Sequence, residues 1–390
     1  MFREYMKRTK FVSRETRRYS VKNKRRIMFI FIATILIFLS FSIIKNIKTT
    51  MTTVEKEIQI LEEIETHQGG NVVYRKFQNG VLQYWDGILY FYDFKGEKKW
   101  HLHLGIPSAE VKVSDESIYL ADNGKKQLLR INKKGEIVYR YTTKETISSF
   151  AVCESNYVLV QYPLINSMTE LVLLNEEGRK HSSIIVGEGM VMNSTLSKAH
   201  NLVAVNTLIT NNALTSHLIL YDMQGELIAS NHLNDQLVLD FDYDTKGNLI
   251  IIKEEKITSI NKGNKELWSV EVDKVKLSKT FSPQYTVIYG GEAGGNPLID
   301  KKDGKRTKII QYNGRVIGDA QTKEVIKGID NSKEDIVVYS PRTIYVLDKR
   351  GEIKMEHKYS SDIEEIFLFS REHMAIITKG KLSFVRFYEG

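Results

Sequence analysis

An apolar strand ending on Asp or Asn, followed three residues later by glycine, recurs along this chain and constrains its fold more than any other feature. The run 89–92 leads into Asp93, with Gly96 behind it. The frame returns at Asn132 and Gly135, Asn175 and Gly178, Asp222 and Gly225, and Asp348 and Gly351. A further copy pairs Asn261 with Asn264 in the glycine place. A side-chain oxygen at the first position accepts backbone N–H groups from the turn, and Gly or Asn tolerates the left-handed conformation that closes the hairpin. Four residues after the glycine place stand Trp100, Tyr139, Trp268 and Met355, expected to cover the edge of the preceding sheet. A seventh copy, 309–312 followed by Asn313 and Gly314, reads as a shortened two-residue turn.

The seven turn positions lie 37 to 50 residues apart, an interval that suits four short strands and their turns. Two further strand-like stretches, such as 109–114 and 117–121, precede a hairpin, and no useful helical periodicity follows residue 70. The expected fold is an all-β propeller, favoured over a β-sandwich by the regular period. It has eight four-stranded blades, or seven, because 275–322 is irregular. The chain ends with three strand candidates, 363–370, 374–378 and 382–388, and a closed ring needs a fourth, which 57–65 can supply. The same region also reads as a coiled-coil seam, with Ile44, Ile47, Met51, Val54, Ile58 and Leu61 at alternating spacings of three and four. Thr49, Thr50, Thr52 and Thr53 are poor helix formers, which favours the strand.

Ahead of the repeats, residues 27–44 carry no charge, and their only polar members are Thr34, Ser40 and Ser42. As a helix these eighteen residues would span roughly 27 Å, near the thickness of a bilayer core. Residues 1–26 hold eleven Lys or Arg against two Glu, a net +9, while Lys45, Lys48 and Lys56 are the basic residues just after the apolar run. The bias predicts a single-pass signal anchor with its N-terminus inside. The expected organisation is a basic cytoplasmic tail over 1–26, a transmembrane helix over 27–44, a linker over 45–56 and an extracytoplasmic propeller over 57–390. The exit from the apolar run has no small-residue cleavage pattern, and no cysteine follows for lipidation. The whole chain is only +8, so everything after residue 26 sums to −1. A domain of that charge has no surplus for a phosphate backbone, which excludes nucleic acid as its partner.

Cys153 is the single cysteine, so no intrachain disulfide or cysteine-rich metal site can form, and its apolar neighbours predict a buried, inert thiol. The run from Leu89 to Trp100 resembles the repeat of quinoprotein-like (PQQ-like) propellers, in which strand, Asp, turn glycine and docking Trp recur. From 57 to 100 the order of features, with 58–65, 77–84 and the first hairpin, resembles an uncharacterised family of bitopic propellers from Gram-positive, often spore-forming, bacteria. That resemblance implies a fold and a location, not an activity. Quinoprotein dehydrogenases pair adjacent cysteines beside their cofactor in a much longer chain. With one cysteine no quinone is carried over, and no cofactor is expected.

The most acidic stretch places Asp240, Asp242 and Asp244 at alternate positions, the chain's candidates for a metal. Lys246 occupies the next alternate place, so 244–248 reads as an ordinary turn behind a strand with its carboxylates on one face. His101 and His103 share a face of an outer strand without a third ligand nearby. The glycine-rich run 290–295 lacks the Lys-Ser/Thr of a phosphate cradle and reads as a hairpin tip. No nucleophile motif appears, so no catalytic residue is assigned. The expected function is a non-enzymatic protein-interaction scaffold in the cell envelope. The alternative is a sensor or binder of a small envelope ligand, such as a glycan, in the propeller channel.

Overall fold

Eight four-stranded antiparallel sheets follow one another along the chain in a computed structural model of the protein. The structure describes residues 56–66, 72–122, 124, 126–153, 155–165, 168–210, 214–234, 236–281, 284–291 and 306–389. The chain divides into two units, Met1–Val54 and Glu55–Gly390, and the second holds all the sheets. No helix among the described residues is long and apolar enough to cross a membrane. The expected spanning segment 27–44, the basic tail and the linker up to residue 55 lie outside the described residues.

Blade 1 runs through Val73–Phe77, Gly80–Trp85, Ile88–Asp93 and Lys98–His103, each strand paired with the next. Blades 2 to 7 repeat this meander. First strands of adjacent blades contact one another and so form the innermost wall. In such a meander the hairpins joining strands 1–2 and 3–4 turn on one face, here called the turn face. The 2–3 hairpins and the blade-to-blade links emerge on the other, the connection face.

Blade 8 closes the ring. Its inner strands are Ile363–Leu368, His373–Thr378 and Lys381–Glu389, and Lys56–Glu65 pairs antiparallel along the last of them. Lys56 lies opposite Glu389 and Glu65 opposite Lys381, with a bulge between Ile60 and Glu62. The closing strand therefore begins one residue before the expected 57, and 56–65 is not a coiled-coil seam. The interval 275–322 that left seven blades open is a complete blade 6, Val275–Phe281, Tyr285–Gly290, Arg306–Gln311 and Val316–Gln321. Its irregularity comes from the long link between its second and third strands. The glycine-rich tip expected there, from 292 on, lies outside the described residues.

Eight apolar clusters, one between each pair of neighbouring blades, hold the ring together. Between blades 8 and 1, Tyr74, Val81 and Tyr92 meet Phe367, Leu382 and Phe384, with Leu61 and Ile64 of the closing strand packed against them. Between blades 3 and 4, Leu159, Leu171 and Leu173 meet Val203, Val205 and Ile219. Middle strands are covered on both faces by neighbouring blades, so Ser117–Asp122, Tyr285–Gly290 and Asp335–Tyr339 are buried throughout. This two-sided burial explains why such strands read as continuous apolar runs rather than alternating ones. Outer strands such as Ile137–Thr142 and Leu227–Asn234 alternate in burial, as half-covered strands do. Cys153 is half-buried against the cluster between blades 3 and 4.

All six expected turns share one geometry. Lys95 and Glu97 donate their backbone N–H groups to Asp93 Oδ1 at 2.9 and 3.0 Å. The same pair of contacts recurs at Asn132, Asn175, Asp222, Asn261 and Asp348. Gly96, Gly135, Gly178, Gly225 and Gly351 have φ between +78° and +94°, and Asn264 has φ +61°. The seventh turn is not shortened as expected. Gln311 stands in the Asp place, accepting the Gly314 N–H at 2.9 Å through its carbonyl and donating its own N–H to Arg315 O. The frame kept its length, but a Gln side chain is too long for the capping contact, which hid it in the sequence.

The bulky residues do more than expected. Each of three aromatics reaches forward to the next blade's turn, and Trp100 also lies against Phe91 of its own blade, with ring centroids 5.5 Å apart. A Cβ placed on Gly135 would lie 2.9 Å from the Trp100 ring, and one on Gly178 2.6 Å from that of Tyr139. Trp268 lies in the same way beneath Gly314. Trp100 Nε1 donates to Lys133 O at 3.1 Å and Trp268 Nε1 to Tyr312 O at 3.2 Å. Glycine at these places supplies both the positive φ and the space for a ring. Met355 is instead fully buried in the cluster between blades 7 and 8.

Candidate functional site

The innermost wall gathers ionisable side chains that the sequence scatters over nearly 300 positions. Asp330, in Gly328–Asn331 of blade 7, is almost fully buried. Its carboxylate accepts Lys76 Nζ of blade 1 at 3.0 Å, Lys279 Nζ of blade 6 at 2.8 Å and the Leu368 N–H of blade 8 at 2.8 Å. Lys76 Nζ also donates to Asn331 O, and to Leu368 O at 2.5 Å. One carboxylate thus ties four blades together. Burial pulls the Lys76 ammonium below its usual range, opposed by Asp330. Glu365 of blade 8 is pushed up by burial against the pull of Arg75 and Lys279. A second buried carboxylate, Asp335, binds Arg371 with contacts down to 2.6 Å and joins blades 7 and 8 again.

The three metal candidates separate in function. Asp244 opens a turn of the recurring kind, accepting the Lys246 and Asn248 N–H groups at 2.8 Å each and the Asn248 amide at 2.8 Å. Asp240 and Asp242 lie on the innermost strand Val238–Tyr243, each accepting the N–H of the following residue. Burial raises the Asp240 carboxyl, with the Phe241 N–H opposing it. Among the described residues no three His, Cys, Asp or Glu side chains gather as a metal would require. The His101 and His103 rings meet edge to face at 5.4 Å on the outermost strand of blade 1, as their spacing suggested.

A different arrangement occupies the connection face of blades 3 to 5. Ile165, in the 2–3 link of blade 3, is 82% exposed, and Leu214, in that of blade 4, is 50% exposed. Met190 and Met192 begin the innermost strand of blade 4, at 62% and 52% exposure, and Leu239 is at the start of that of blade 5. Ile185, also exposed, ends the outer strand of blade 3 at the same face. Asn193 donates from its side-chain amide to Leu239 O at 3.2 Å, linking blades 4 and 5 beneath this rim. Single exposed apolar residues are ordinary; here six fall on one face of three consecutive blades. Sequence reasoning missed it, because it separates core from rim only once the ring is closed. The Met-Val-Met alternation at 190–192 is its one visible trace.

The geometry defines an eight-bladed, all-β propeller with an apolar rim on one face and a polar clamp at its axis. Residues 51–387 match the family described as "Family of unknown function (DUF5711)", and the chain belongs to it. Solved propellers superpose over most of its length. BamB from Moraxella catarrhalis aligns with 86% of this chain and 99% of its own, at 11% identity and a TM-score of 0.51. The Dos1 propeller aligns with 84% of this chain and 95% of its own, at 10% identity and a TM-score of 0.55. Dihydro-heme d1 dehydrogenase NirN, solved in complex with DHE, aligns with 84% and 78%, at 11% identity and a TM-score of 0.51. At these identities the likeness is one of fold. No curated protein matches the sequence.

Proposed function

We propose that this protein is a membrane-anchored, non-enzymatic scaffold of the Gram-positive cell envelope, with its basic tail inside, its propeller outside and a partner protein docked on the connection face. The apolar rim of blades 3 to 5 carries this reading. Methionine suits such a role, since its flexible thioether adapts to varied apolar surfaces. The charge split between 1–26 and the rest of the chain supports the orientation. The scaffold reading is favoured over a small ligand in the channel because Lys76, Lys279 and Asp330 already satisfy one another in bracing the blades.

A photo-crosslinking residue in place of Met192 or Leu239 in growing cells tests the docking. Both positions should yield the same protein adduct, whereas Leu227, at the turn-face end of an outer strand, should not. Different adducts from the two rim positions, or the same adduct from Leu227, would refute the surface. Orientation has its own test. With Cys153 replaced by Ser, an impermeant maleimide should label Glu177→Cys in intact cells and Lys10→Cys only in broken ones; the reverse labelling would overturn it.

A further inference from the structure

On the turn face, the rims of blades 5 and 6 part to leave a cleft of about 380 Å³, within the range of small-molecule sites. Blade 5 contributes the turn that Asp244 opens, with Leu267 and Trp268 near the start of its outer strand. Blade 6 contributes Gln284, just ahead of its second strand, and Gln311, Tyr312 and Asn313 of its 3–4 turn. The cleft lies between two blades, away from the axial clamp and on the face opposite the apolar rim.

Its walls have fixed backbones and unspent amides. The Gln311 side chain does not cap its own turn, as Asp or Asn does at the six others, and so it is left at the cleft, where its oxygen accepts Asn313 Nδ2 at only 3.4 Å. Gln284 is exposed, and its side-chain amide makes no hydrogen bond among the described residues. Its backbone is held at both groups: the N–H donates to Phe281 O at 3.0 Å, and the carbonyl accepts the Tyr312 N–H at 3.2 Å. Trp268 bridges the two blades. Its Nε1 donates to Tyr312 O at 3.2 Å and part of its ring lies beneath Gly314, yet the residue stays part-exposed. The ionisable members of the lining are one carboxylate, Asp244, engaged by its own turn, and one ammonium, Lys246.

We infer that this cleft between blades 5 and 6 binds a neutral saccharide. A pyranose ring has an apolar C–H face and an edge of hydroxyl groups. An indole beside primary amides meets both, because the ring covers the carbons while each amide can donate and accept at once. A purely apolar ligand would cover Gln284 and Gln311 without satisfying them, which costs affinity. An anion would gain from Lys246 but meet Asp244, so charge selects for neither sign. The inference goes beyond the docking of a partner on the rim and does not depend on it.

Saturation-transfer NMR on the full chain in phosphatidylcholine nanodiscs, free of glycosidic detergent, tests this with chitotriose, cellotriose and maltotriose as probes. At least one of the three should receive saturation. The bound sugar should also shift tryptophan emission, and Trp268→Phe should lose that shift. Gln284→Ala and Gln311→Ala, where the side chain braces no strand, should keep the melting midpoint and weaken the affinity about three- to tenfold each. Met192→Ser, on the opposite face, should leave the affinity unchanged. Transfer to none of the three sugars would overturn the inference. So would binding that both glutamine variants leave intact, or that Met192→Ser weakens instead.

Discussion

Lys76 and Asp330 form an ion pair of 3.0 Å across 254 residues of sequence, joining the innermost strands of blades 1 and 7 past blade 8. Lys279 reaches the other oxygen of the same carboxylate. Asp330→Ala would leave two ammonium groups and the Leu368 N–H without their shared acceptor. The expected loss is about 2–4 kcal/mol, below the upper range for a buried pair because Lys279 keeps 43% of its side chain exposed. Chemical denaturation measures it. A loss under about 0.5 kcal/mol would mean that water replaces the carboxylate at no cost.

Gly135 separates two roles that coincide at the turn glycines. Asn tolerates the left-handed conformation, as Asn264 does at the equivalent place. At 135 an Asn side chain would meet the Trp100 ring. Gly135→Asn should therefore destabilise by roughly 1–3 kcal/mol through overpacking. Part of that loss should return in the Gly135→Asn, Trp100→Ala double variant relative to the sum of the singles. Strict additivity would show that ring and turn are independent.

Asp240 gives a pH-dependent prediction with a definite sign. Burial raises its folded-state pKa above the ordinary carboxylate value. Its contribution is most favourable at pH below the unfolded value and is lost as pH rises through the folded one. Asp240→Asn should then raise the melting midpoint at neutral pH, and the gain should shrink on acidification. If Asp240 and Asp242 bind calcium in solution, the variant would instead lose a calcium-dependent rise in midpoint, which the same melts with and without the ion would reveal.

His217 carries the opposite sign. Burial, and then its neighbour His232, stacked at 3.9 Å, lower its pKa. Its stabilising contribution is present above about pH 6.5, the unfolded value, and falls away as pH drops through the folded one. Wild type should lose stability between pH 7 and 5 more steeply than His217→Gln. Parallel profiles for the two would remove His217 as the cause.

Deleting residues 56–65 should open the ring. The edge of Lys381–Glu389 would be bared, and the cluster containing Phe384 would lose Leu61 and Ile64. An exposed apolar edge strand pairs with other chains, so size-exclusion chromatography should show self-association in place of monomer. A monomeric product with unchanged midpoint would mean that the closing strand is dispensable.

The turn frame was legible in the sequence because its chemistry is local. Asp93 and Gly96 interact with atoms within four residues, so spacing alone carried the six turns, the four-strand period and the all-β class. The closing strand was legible for a related reason, since a ring short of one strand at its end needs one from its beginning. The destination of Trp100 was not: a ring four residues past a turn has two neighbouring sheets to cover, and only blade order sends it forward to Gly135. Gln311 was misread because local chemistry there is absent while the backbone keeps the frame. The clamp at Asp330 and the rim around Met192 lay further out of reach. Both join residues from separate blades, and a charged or apolar residue on a strand reveals its role only when closure sets what lies opposite it. Local hydrogen bonding wrote the repeat into the sequence; the closing of the ring, a long-range packing event, decided which side chains meet at the axis and which remain exposed on its faces.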